Sequence, residues 1–144
     1  MNQTLTKEQE AELKDHYEHP KNFGKMLKYS AKGTCNNPDK RAKTTIFLDI
    51  DEDEVIKDIK FLIKGCRSTM LAGSLFTDTI KNHTLQDGVE LANDLLRELE
   101  SDLTPDKEKP RLVMKAYLAA VENYRDRQNG KDEDEKVMII HSKE

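Results

Sequence analysis

The chain has little of several residue types that would point to a specialised class of protein. Its 144 residues contain no tryptophan, four phenylalanines, four tyrosines and two cysteines, Cys35 and Cys66. Two cysteines are too few for a disulfide framework, and neither belongs to a CxxC pair or a Cys–His cluster. No apolar run approaches the ~20 residues that cross a bilayer, so we expect no membrane partner. Because the few aromatic residues are not interleaved with a basic stripe, nucleic-acid binding is disfavoured.

Charged residues make up 36% of the chain, and both signs are mixed along it to a formal net charge of −4. A weak acidic excess mainly favours solubility. Residues 1–14 are polar and charged, unlike a secretory signal, and we therefore expect a cytoplasmic protein. The sequence has no P-loop, GxGxxG or Ser/His/Asp signature, and we predict that the protein is not an enzyme.

Local patterns in the first half predict one helix followed by strands. Thr6 and Gln9 form a capping box for a helix that Pro20 ends. Residues 44–50 and 55–63 are rich in β-branched and aromatic side chains and predict an antiparallel hairpin. Residues 26–35 are an ambiguous stretch that could supply a short edge strand.

The second half predicts three helices. They begin at Ser68 or Thr69, after a cap at Thr84, and near Pro110. We therefore predict an α+β domain over residues 1–128, in which a small antiparallel three-stranded sheet packs against helices on one face. Residues 129–144 are predicted to be a polar C-terminal tail, although residues 137–140 are apolar enough to dock.

Four segments resemble, in order and spacing, the iron–sulfur cluster scaffold family of IscU, SufU and the N-terminal part of NifU. Residues 15–24, DHYEHPKNFG, resemble its DHY-x-x-P-x-N-x-G opening, and Asn36-Asn-Pro38 resembles the start of its N-N-P-x-C-G-D loop. Gly65-Cys66 resembles its second-cysteine segment, and residues 109–124 resemble the helix that its third cysteine opens. This resemblance, over about residues 5–127, implies a SufE/IscU-like fold. It also implies an iron–sulfur cluster or zinc as the ligand and a cysteine desulfurase as the partner.

The resemblance carries over one ligand of the family site. Cys66 occupies the second-cysteine position and is the candidate metal ligand, whereas Lys40 and Lys109 stand at the first- and third-cysteine positions and Ala42 at the aspartate position. An iron–sulfur cluster normally takes four ligands, mostly thiolates, and a structural zinc also takes four. The resemblance therefore implies a scaffold-like protein with a degenerate metal site.

Alternatives stay open for the thiols and for the function. Basic neighbours and a helix start would favour a reactive thiolate at Cys66, which would then accept sulfur from a desulfurase. Cys66 could equally pack as an inert side chain, and the protein could be a metal-free adaptor or regulator of a cysteine desulfurase. Cys35 is a second candidate thiol or a buried small hydrophobe. His16 and His19 are predicted to have structural roles at the end of the first helix.

Overall fold

The computed structural model describes residues 6–65, 67–101 and 108–141. The described residues form the following elements in chain order: α1 (Lys7–Glu18), β1 (Ala31–Asn37), a 3-10 turn (Pro38–Lys40), β2 (Ala42–Ile50), β3 (Ile56–Lys64), α2 (Arg67–Ile80), α3 (Leu85–Ser101), α4 (Glu108–Gln128) and β4 (Lys136–Ile139).

A four-stranded sheet in the order β3-β2-β1-β4 lies at the centre. Strand β2 is antiparallel to both β1 and β3, with Thr44 opposite Ile63 in the hairpin, and β4 is parallel to β1. The predicted α+β class and the predicted hairpin are confirmed.

The number of strands corrects the sequence prediction, which was three. Residues Lys136–Ile139 pair with β1 and place Met138 opposite Cys35, so part of the segment predicted as a polar tail belongs to the sheet. Strand β1 is paired on only one side by β2, and β4 satisfies the backbone groups on its other side. The domain boundary at residue 128 stays a prediction.

Side chains of α4 hold the segment before β4 in place. The side-chain oxygen of Asn123 accepts a hydrogen bond from the backbone N–H of Lys32 at 3.0 Å, and its amide group donates to the carbonyl of Glu133 at 3.1 Å. The Lys136 ammonium lies 3.3 Å from a carboxylate oxygen of Asp126 and 3.3 Å from one of Glu122. The hydrogen bond to Asp126 contributes most to raising the pKa of Lys136, followed by the hydrogen bond to Glu122.

Helix α4 packs directly on β1 and carries much of the core. The buried side chains of this helix include Leu112, Val113, Ala116, Tyr117, Ala120 and Tyr124. Gly33 of β1 allows the close approach, because a Cβ there would lie 2.6 Å from the Cα of Ala120. The Tyr117 hydroxyl donates to the carbonyl of Leu85 at 2.7 Å, and burial raises the pKa of this tyrosine.

The helix starts agree with the predicted caps in two of three cases. Thr6 forms the predicted capping box, and the Thr84 side chain accepts from the backbone N–H of Asp87 at 3.0 Å. The cap predicted at Ser68 or Thr69 is wrong, since α2 begins at Arg67 and both residues lie inside its first turn.

The end of α1 is fixed to α2 by a buried histidine. His16 is 3% exposed, and its Nδ1 lies 2.7 Å from the hydroxyl of Ser74, which also accepts from the backbone N–H of Lys21 at 2.7 Å. The structural role predicted for His16 is confirmed. His19 is exposed and lies 3.4 Å from the Asp15 carboxylate.

Candidate functional site

The 3-10 turn and the end of β3 meet at one edge of the sheet. Lys40 ends the turn, Arg41 adopts a left-handed conformation (φ 51°), and Ala42 begins β2. A Cβ built on Gly65 would lie 3.3 Å from the Cβ of Ala42, so the chain immediately before Cys66 passes against Ala42. The structure thus places Ala42 beside the residue that precedes Cys66 in the sequence, and Lys40 lies two positions before Ala42 in the chain.

Two of the predicted site residues have side chains outside the described part of the chain. Cys66 lies outside the described residues. Lys109 is the second residue of α4, and its side chain is also outside the described part of the chain. The described portion of this site therefore consists of Lys40, which is exposed, and Ala42, which is half-buried.

These two side chains do not fit the family's ligand. An ammonium group repels a metal cation and a methyl group has no lone pair, so neither Lys40 nor Ala42 can replace a thiolate or a carboxylate. Within residues 6–65, 67–101 and 108–141, no group of three His, Cys, Asp or Glu side chains is arranged to hold a metal ion. The donor set of the described residues thus does not fit a cluster of the family type.

Cys35 lies in the core near this edge. Its side chain is fully buried, and it faces Thr44 across β1 and β2, two positions from the pair that joins Asn37 to Ala42. Alternate residues of a strand point to the same face, so Cys35 and Ala42 share a face about 7 Å apart along the strands. The Thr44 hydroxyl is buried there without a hydrogen-bond partner in the described structure. Solvent does not reach Cys35 in the folded protein.

A pair of lysines on the other face of the sheet was not predicted from the sequence. Lys43 follows Ala42, Lys64 precedes Gly65, and the register of β2 and β3 places the two lysines directly opposite each other. Neither has a carboxylate within 4.0 Å among the described residues. The alternation of side chains along each strand indicates that both lysines face outward. That they lie opposite each other depends on how β2 and β3 pair, which the alternation does not show.

The sequence matches the family model of the NifU-like N terminal domain over residues 8–131. The chain belongs to this family. The iron–sulfur cluster assembly scaffold protein IscU of Rickettsia prowazekii is 34% identical over 124 residues, which cover 82% of this chain and 93% of that protein. The scaffold protein IscU 1 of Archaeoglobus fulgidus is 30% identical over 118 residues, covering 81% of this chain and 76% of its own.

Solved structures agree with the family at the level of the fold. A putative iron–sulfur cluster assembly scaffold protein for the SUF system from Fervidobacterium islandicum superposes with a TM-score of 0.66 at 17% identity, covering 76% of this chain and 93% of that one. The N-terminal part of a NifU-like protein from Brucella abortus also gives 0.66, at 12% identity, covering 80% and 92%. The SufE/IscU-like fold implied by the sequence is confirmed. None of the described helices is long and apolar enough to cross a membrane.

Proposed function

We propose that this NifU-like domain serves iron–sulfur cluster assembly as a scaffold-like protein whose cluster site is degenerate. The observation that carries the proposal is the family match over residues 8–131. The motif spacing within this range assigns Lys40, Ala42 and Lys109 to three of the four positions that hold ligands in the family. Relatives named as IscU scaffolds match over most of both chains, which supports a role in the same process.

The cluster is the cargo of a scaffold, and its iron ions need thiolate or imidazole ligands. One chain offers Cys66 alone at the family positions, so stable holding of a cluster would need ligands from a second chain. The role that the residues favour is therefore one that keeps the fold and the surface for partners. Cysteine desulfurase is the partner we propose, with this protein contributing no catalytic step of its own in the cytoplasm.

Anaerobic reconstitution with iron and sulfide tests whether the site is degenerate. We expect the wild-type protein to retain far less than one cluster per chain, measured as iron, acid-labile sulfide and visible absorption. The triple variant Lys40→Cys/Ala42→Asp/Lys109→Cys should gain cluster absorption, and adding Cys66→Ser should remove it again.

A matched control introduces the same number of thiols elsewhere. Lys7→Cys/Lys57→Cys adds two thiols at exposed positions away from this edge and should gain no cluster. Stoichiometric iron and sulfide in the wild-type protein would overturn the degenerate site. Failure of the folded triple variant to bind a cluster would contradict the convergence of positions 40, 42, 66 and 109.

A metal-free adaptor of the desulfurase is the second candidate, and the poor donor set of the described residues favours it. It predicts that the desulfurase binds this protein equally well with and without a metal chelator. The third candidate is acceptance of sulfur by Cys66, and it predicts a persulfide on that residue after incubation with desulfurase and cysteine. Buried Cys35 serves as an internal control, because native-state mass spectrometry should find it unmodified.

A further inference from the structure

A groove of about 540 Å³ lies on the face of the sheet that the helices leave open. A Cβ on Gly33 would face α4. Because side chains alternate along the strands, Lys32, Lys43 and Phe47 lie on the opposite face. The loop before β1 closes one side of this outer-face groove with Met26, Leu27 and Tyr29.

The outer-face groove is positively charged in a chain of net charge −4. Lys25, Lys32, Lys43 and Lys64 line it, and three of these four, Lys25, Lys43 and Lys64, have no carboxylate within 4.0 Å among the described residues. The fourth, Lys32, lies 3.7 Å from the Glu135 carboxylate. Like charges directly opposite each other on paired strands are destabilising, so the Lys43–Lys64 pair costs the isolated fold free energy that an anionic partner would recover.

The same groove has apolar surface beside the lysines. Leu27 on its rim is 96% exposed, and Leu62 of β3 contributes a partly exposed side chain. Large apolar side chains left in water next to unpaired charge are typical of surfaces that bind another protein. A complementary occupant therefore carries carboxylates and at least one apolar side chain.

We propose that the outer-face groove docks an acidic, partly apolar polypeptide segment of a partner protein, whose carboxylates bind Lys25, Lys43 and Lys64. Lys43 and Lys64 adjoin Ala42 and Gly65 in the chain, so the docked segment reaches the edge of the sheet where the family site lies. This inference goes beyond the proposed function and holds whether or not a cluster is assembled.

The lining favours a polypeptide over a nucleic acid. None of the described residues that line the groove is an arginine, the side chain best suited to bidentate phosphate binding. Phe47 is 5% exposed beneath Tyr29, with their ring centroids 5.5 Å apart, so it offers no open face for base stacking.

Fluorescence anisotropy tests the proposal on the full chain. The probe is a short labelled peptide that alternates glutamate with leucine. Two comparison peptides replace glutamate with lysine or leucine with serine. We expect the acidic apolar peptide to bind, and binding to weaken as salt screens the charges.

The decisive variant is Lys43→Gln/Lys64→Gln, and its matched control is Lys7→Gln/Lys57→Gln, which changes the net charge equally at exposed positions outside the groove. The groove variant loses two exposed ion pairs with the peptide, so we expect its affinity to be about fivefold to tenfold weaker than that of the wild type. The control variant should bind as the wild type does. Because repulsion between the lysines is relieved, the groove variant should unfold at the same or a higher temperature than the wild type.

Four results would overturn the proposal. The first is no binding of the acidic apolar peptide at low salt, and the second is equal binding of the serine-containing peptide. Another is an equal loss of affinity in the groove and control variants. The last is tighter, lysine-dependent binding of a single-stranded oligonucleotide or of phosphatidylserine vesicles, which would assign the groove to a nucleic acid or a lipid surface.

Discussion

Replacing Gly33 with alanine would place a methyl group between β1 and α4, at the closest approach of helix and sheet. The added Cβ would meet the backbone N of Ala120 and the carbonyl oxygen of Ala116, and would lie 2.6 Å from the Cα of Ala120. Carbon atoms in contact are normally separated by about 3.5–4.0 Å, so helix and strand must move apart by about 1 Å. Backbone atoms cannot rotate out of the way as a side chain can.

The magnitude follows from the competing effects of this substitution. In open space a glycine-to-alanine change stabilises a protein by about 0.4–1 kcal/mol, because the unfolded chain loses freedom. Overpacking of a core costs about 1–3 kcal/mol, and contacts with backbone on two sides favour the upper end. Subtracting the gain from the cost, we expect Gly33→Ala to lower the free energy of unfolding by about 2–2.5 kcal/mol, which lowers Tm by about 8 °C in a domain of this size.

Urea unfolding followed by circular dichroism measures this loss. The midpoint should fall while the slope m stays constant, since the surface exposed on unfolding is unchanged. Gly130→Ala is the control, because nothing lies within 4 Å of its added Cβ and only its positive φ of 87° opposes the change. It should cost about 1 kcal/mol.

Two results would refute the reasoning about Gly33. One is a Gly33→Ala protein at least as stable as the wild type. The other is full rescue by Ala120→Gly, because the clash is with the backbone of Ala120 and removal of its methyl group should leave it in place.

Three further predictions concern buried polar contacts. Asn123→Ala removes two hydrogen bonds that hold β1 and the segment before β4, and should cost about 2 kcal/mol and speed hydrogen exchange of the β4 amides. His16→Ala removes the buried contact with Ser74 and should make α1 cleavable by protease while the rest of the chain stays protected. Tyr117 ionises with a pKa of about 10 once unfolded, whereas burial raises its pKa in the folded state, so stability should be complete below pH 10 and fall as pH rises above it. Tyr117→Phe should lose stability at neutral pH, because the Leu85 carbonyl is left without its donor, and should show a smaller alkaline loss in urea titrations.

Each of these predictions has an opposing result. Unchanged exchange of the β4 amides in the Asn123 variant would mean that the pairing with β1 alone holds this strand. Wild-type cleavage kinetics in the His16 variant would mean that α1 is held by other contacts. If the Tyr117→Phe protein lost as much stability at alkaline pH as the wild type, the loss would belong to other groups. Lys136 is one such group, because its pKa is raised in the folded state and stability therefore falls as pH rises above the ordinary lysine pKa.

Much of the fold could be predicted because local physics decides it. The capping box at Thr6, the β-branched and aromatic content of β2, the alternation in β3 and the apolar face of α4 are patterns within single elements. Strand β4 could not be predicted in the same way. Its four residues include the strand formers Val137 and Ile139, but so short a segment after a run of charged residues does not specify a strand alone. It forms because α4 returns the chain to the unpaired side of β1.

The candidate site also has features that local sequence patterns predicted and features that depend on packing. The order and spacing of the motifs predicted the family, which the family match confirms, and they also predict that Lys40 and Ala42 replace its ligands. Spacing could not show that Gly65 lies against Ala42, or that Cys35 is buried on the same face. Those relations join residues distant in the chain, and only the packing of strands and helices creates them.

The outer-face groove illustrates the physical reason most directly. From the sequence, Lys43 and Lys64 are two solvated charges at the ends of two strands. The register of β2 with β3 makes them a like-charged pair, and the loop that contains Leu27 adds the apolar rim. Residue type and local spacing were enough to predict the helices, the β2–β3 hairpin and the family, and they predict the replaced ligands. Which charges share a surface depends instead on strand register and packing, because these set distances between residues that no local pattern contains.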